Sequence, residues 1–74
     1  MRDMDDLPQR VPGHVLKARR EHVGVTQVEL QRELGISRSK LHGWERDPSL
    51  NPIDAARYER ALRLILDRAL GESA

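Results

Sequence analysis

A glycine set between two short apolar periodicities constrains this chain more than any other feature. It lies in residues 26–45, TQVELQRELGISRSKLHGWE. Thr26 and Glu29 have the spacing of a reciprocal cap, in which each side chain satisfies the other residue's backbone N–H, and this predicts a helix starting at Gln27. Val28, Leu30 and Leu34 then fall at helical spacing along one face. Gly35 stands just past the last of them, where a left-handed backbone costs a glycine least. Ile36 is apolar, and Ser37 caps a second helix whose Leu41 and Trp44 turn inward. The outer face of that second helix is left with Arg38, Ser39, Lys40, His42, Gly43 and Arg46.

The rest of the chain has little room for anything but helix packing. Its 74 residues make one small domain whose core is only just self-sufficient. It has no cysteine, so neither a disulfide nor a zinc-thiolate site can staple it, and stability must come from packing and from dimerisation. With no Phe, one Tyr and one Trp, the core has to be aliphatic. No apolar run approaches the roughly 18 residues of a membrane span, and the N-terminus lacks the apolar stretch of a signal peptide, so the expected location is the cytoplasm.

Residues 1–11 are polar, contain Pro8 and show no periodicity, which predicts a disordered arm over residues 1–12 that ends at Pro12-Gly13. The ordered domain is expected over residues 13–70. A first helix covers residues 14–23, with Val15, Leu16, Ala18 and Val23 facing inward, and Gly24 closes it. The two short helices occupy residues 26–46. After the turn formers Asp47-Pro48-Ser49, Asn51 reads as a cap with Pro52 in the first helical position and Asp54 near the favourable end of the helix dipole. Residues 53–70 then read as one long helix, ended by Gly71 and followed by a tail over residues 71–74. Toward its C-terminal half its apolar residues cover more than one stripe, and Leu62, Leu66 and Leu70 are the candidate surface for a second copy of the chain. The fold class is therefore all-α.

Charge is distributed unevenly. Residues 10–46 carry eight Lys and Arg against four Asp and Glu, whereas residues 1–9 sum to −2 and residues 47–74 to −1. The excess positive charge sits in the segment with the two short helices, which favours a polyanionic partner. Cationic and hydrogen-bonding side chains on a short exposed helix suit the major groove of double-stranded DNA. Arg57, Arg60, Arg63 and Arg68 are interleaved with Asp54, Glu59 and Asp67, as on an ordinary solvated face. His14, His22 and His42 are too irregularly spaced for a metal site. The serines have no evident base beside them, and a chain this short hardly encloses a pocket, so neither catalysis nor a cofactor is expected.

The pattern L-x-x-R-R-E-x-x-G-V-T-Q-x-x-L-x-x-x-L-G-I-S-R-S-x-L-x-x-W-E over residues 16–45 resembles the XRE-type helix-turn-helix family, the Cro and lambda-repressor-like group. The resemblance extends through Pro52 to about residue 66. It implies a compact domain of four or five helices that binds operator DNA, usually as a homodimer. It also implies roles for single residues. Gln27 would direct its side chain and its helix N-terminus at a phosphate. Arg38 and Ser39 would face base edges, with Arg38 suited to guanine O6 and N7. Lys40 would contact phosphate, with Ser37, His42 and Arg46 completing the interface. Gly43 stands where relatives place a longer reading side chain. Arg20 and Glu45 would form a partly buried structural ion pair.

Two positions and one helix depart from the family pattern. Gln31 replaces an alanine where two helices cross closely, so it must bend to solvent or widen the crossing. Asp47 replaces a glycine, which implies a different loop path. The last helix lacks the usual break. The expected function is that of a sequence-specific transcriptional regulator of repressor type. The alternatives are an antitoxin or phage accessory factor that binds DNA with a protein partner, and a protein-interaction module.

Overall fold

Side-chain caps account for where three of the described helices begin. The computed structural model describes residues 10–73, and among them are four α-helices: α1 (Gly13–His22), α2 (Gln27–Leu34), α3 (Arg38–Arg46) and α4 (Pro52–Ser73). The cap on α2 closes in both directions: Glu29 N–H donates to Thr26 Oγ1 at 3.1 Å and Thr26 N–H to Glu29 Oε1 at 2.8 Å. Gly35 ends that helix with φ 70° and ψ 33°, a conformation in which a Cβ would crowd the backbone. Ser37 Oγ accepts from Lys40 N–H at 3.1 Å and starts α3. Asn51 Oδ1 accepts from Asp54 N–H at 2.9 Å and starts α4.

Ten apolar residues form the core, with every helix contributing: Leu16 from α1, Leu30 from α2, Leu41 and Trp44 from α3, and Ala55, Tyr58, Ala61 and Leu62 from α4. Val25 and Leu50 join them from the connections. Packing is closest where α1 begins, because a Cβ on Gly13 would lie 2.0 Å from the carbonyl oxygen of Trp44. Only glycine lets the start of α1 sit against the end of α3.

Several expectations need correction. Arg10, Val11 and Pro12 do not belong to a disordered arm. Val11 pairs with Leu50 through N–H to O contacts of 3.3 and 2.9 Å, and Arg10 Nη1 donates to the Ser49 carbonyl. Val11 packs on the core, and that burial supplies the reason. The remainder of the arm, residues 1–9, lies outside the described residues. The last helix does not stop at residue 70: it continues to Ser73, so most of the expected tail is helical. A glycine costs only about 1 kcal/mol within a helix and does not force an end. Ala18 and Val23 are exposed and Val15 is half-buried, because that side of α1 faces an open groove rather than the core.

Gln31 turns only partly to solvent, and its amide oxygen Oε1 is fully buried and finds no partner among the described residues. Asp47 needs no glycine-like backbone, since its φ is −72°. Its Oδ1 accepts from Ser49 N–H at 2.9 Å and its carbonyl from Gly13 N–H at 2.7 Å, which fixes the loop against α1.

Candidate nucleic-acid interface

One buried carboxylate organises the motif. Glu45, on the inner side of α3, accepts from Arg20 Nε at 2.8 Å and Nη2 at 3.3 Å, from Gln27 Nε2 at 2.9 Å, and from the Tyr58 hydroxyl. The third guanidinium nitrogen of Arg20 donates to the Val25 carbonyl at 2.9 Å. All four helices are thereby tied to a single side chain. Burial alone would raise the pKa of Glu45, but the hydrogen bonds from Arg20, Tyr58 and Gln27 outweigh it and hold the carboxyl below its ordinary value. Burial and the adjacent carboxylate push the Tyr58 hydroxyl well above the usual tyrosine range. For Arg20 burial acts to lower the pKa, and the bonds to Glu45 more than reverse it, so the guanidinium stays charged.

With Leu41, Trp44 and Glu45 turned inward, α3 exposes Arg38, Ser39, Lys40, His42, Gly43 and Arg46. Ser39 lies three and four residues before His42 and Gly43, and these lie four and three before Arg46, which makes the four one stripe along the helix. Among the described residues Arg38, Lys40 and Arg46 form no ion pair, whereas Arg19, Arg57 and Arg68 are paired with Glu59, Asp54 and Glu33. The exposed face of α3 thus carries positive charge without a paired acid, as do Arg32, Arg60 and Arg63 elsewhere among the described residues.

The fold brings some of the expected residues around one concavity and leaves others apart. Gln27, Arg38, Ser39 and His42 line a shallow polar hollow together with Lys17, Glu21, Gly24 and Thr26. Gly43 and Arg46 lie farther along the α3 stripe, and Lys40 and Ser37 lie outside the hollow. Gln27 differs from the expectation for it: its amide nitrogen is turned inward to Glu45, whose carboxylate has acceptor capacity left beside Arg20. What remains free at the start of α2 are the backbone N–H groups of Gln27 and Val28, which have no acceptor among the described residues.

Sequence reasoning missed three contributors. Tyr58 reads as an apolar helix position, and only the fold places its hydroxyl at Glu45. Gly13 reads as punctuation but is a packing requirement. Lys17 shares the hollow, and its signal was present: it precedes the inward-facing Arg20 by one turn.

Two short helices joined through a left-handed glycine, the second presenting a cationic outer face, define a helix-turn-helix. A family model for helix-turn-helix proteins matches residues 16–68, and the chain belongs to that XRE-type, DNA-binding family. Comparison with curated proteins and with solved structures yields no match. Among the described residues no helix is long and apolar enough to cross a membrane, and no group of His, Asp and Glu could hold a metal ion.

Proposed function

We propose that this DNA-binding domain is a sequence-specific transcriptional regulator of repressor type, which reads a pseudo-palindromic operator as a homodimer. The observation that carries the reading is the outer face of α3, exposed and without compensating acids over its length. In this account residues 37–46 enter the major groove. Arg38 binds a guanine edge and Ser39 an adjacent base, while Lys40 and Arg46 meet phosphates on either flank. His42 lies along the same stripe. Gly43 lets the helix approach closely, since its surface is open. The free N–H groups at the start of α2 face a phosphate, with the Gln27 side chain acting as their brace.

The second copy docks on the groove between α1 and the end of α4. That groove is lined by Val15 and Ala18 from α1, by Val23 just after it, and by Leu62, Leu66 and Leu70 from α4. Leu62 is 6% exposed and belongs mainly to the protomer's own core, so Leu66 and the 70%-exposed Leu70 carry the contact. Large apolar side chains left open on so small a domain are the usual mark of an association surface.

The test is selection of bound sequences from a random duplex pool at two salt concentrations, with sedimentation of wild type and Leu66→Glu. A two-fold symmetric motif and a dimer lost in Leu66→Glu support the reading. Recovery of no motif, with binding that vanishes as salt rises, overturns operator recognition and favours a partner-dependent factor. A Leu66→Glu protein that sediments as wild type moves the dimer surface elsewhere.

A further inference from the structure

We infer that the DNA interface extends onto α1, where Lys17 neutralises a backbone phosphate beside the bases read by α3. This rests on the proposal that α3 reads DNA. A helix seated in a groove about 12 Å wide has a phosphate strand on each side. On the side of the α2 N-terminus, that strand must pass over the hollow lined by Lys17, Glu21, Gly24, Gln27, Arg38 and His42. Within the hollow Arg20 is committed to Glu45. Lys17 is exposed and has no ion pair among the described residues, although Glu21 stands one turn away on the same face. Arg38 lines the same hollow from α3 and Gln27 from the start of α2, so a phosphate in it meets a cation on each wall. Glu21 lines the same hollow one turn farther along α1, so Lys17 is the exposed cation of the α1 wall. Gly24 adds no side chain that would block the strand.

A contact of this kind carries no base information, and that makes it measurable. The logarithm of the binding constant falls with the logarithm of salt concentration by about 0.9 for each phosphate neutralised. Wild type, Lys17→Ala, Lys17→Arg and Arg38→Ala are compared on a selected duplex and on an unrelated one across a salt series, with thermal melting as the check on folding. The expected result for Lys17→Ala is a slope shallower by about 0.9, an equal fold-loss of affinity on both duplexes, unchanged base preference and an unchanged melting temperature. Lys17→Arg should restore the slope. A Lys17→Ala protein with the wild-type slope and affinity, or with a loss confined to one base, overturns the inference. If Arg38→Ala alters base preference while Lys17→Ala alters nothing, only the α1 contact falls. If neither changes binding, the reading of α3 falls with it.

Discussion

Replacing Arg20 by alanine separates a structural arginine, the role that the family resemblance implies for it, from a DNA contact. In the folded protein Arg20 makes two bonds to Glu45 and one to the Val25 carbonyl, and both charged side chains are almost fully buried. The substitution leaves Glu45 with only Tyr58 and Gln27 as neutral donors and leaves the Val25 carbonyl without its bond. Removing one partner of a buried ion pair costs roughly 3–5 kcal/mol. A domain of this length has a total stability of roughly 4–11 kcal/mol, at about 0.05–0.15 kcal/mol per residue. Arg20→Ala should therefore lower the melting temperature by at least about 12 °C, taking about 4 °C per kcal/mol, or abolish folding. Arg20→Lys should fall between the two, because an ammonium cannot reproduce the forked contact. The assay is helical circular dichroism followed with temperature, paired with DNA affinity for every variant that folds. An Arg20→Ala protein with wild-type helicity and melting temperature but weakened DNA binding would falsify the structural role and make Arg20 a phosphate contact.

The orphaned Oε1 of Gln31 should make Gln31→Ala a stabilising change. An unsatisfied buried group costs about 1–3 kcal/mol, so even after lost packing a rise in melting temperature is expected, and a fall would show that the oxygen is satisfied. Gly43 has open space around it, so Gly43→Ala should stabilise α3 by up to about 1 kcal/mol. If it also weakens DNA binding, the helix approaches DNA closely at that point; unchanged affinity would refute the close approach. Stability should also depend on pH at both ends. Glu45 is held below its unfolded value, so its contribution is present above about pH 4.3 and is lost as pH falls through the folded value. Tyr58 is raised, so its contribution is present below about pH 10 and declines above it. Tyr58→Phe should flatten the alkaline limb, and parallel alkaline loss in both proteins would show that the hydroxyl is not the titrating group.

The motif was legible because local chemistry dictates it. Thr26 with Glu29, Ser37, and Asn51 before Pro52 each announce a helix start through side-chain caps, and Gly35 announces the turn between two of those helices. Leu41 and Trp44 lie at a spacing that leaves one side of α3 for the core and the other for a partner. What was not legible depends on contacts far apart in sequence. Tyr58 lies thirteen residues beyond Glu45 and reaches it only through the packing of α4. Gly13 matters because the end of α3 passes over it, and Val11 is ordered because Leu50 offers it a backbone partner. The family resemblance implies an outward role for Gln27, but the free acceptor capacity of a buried carboxylate draws its amide inward. Gly71 was read as a stop by its residue type, whereas an exposed glycine in a long helix carries only a modest penalty.

The most direct test of the central claim is to map where DNA touches the folded protein, by titrating isotope-labelled protein with a selected duplex and following each backbone amide by NMR. The account predicts that the perturbed amides cluster at the start of α2 and along residues 37–46, with the α1 and α4 groove unchanged apart from effects of dimerisation. Perturbation centred on that groove, with the amides of α3 unmoved, would contradict it.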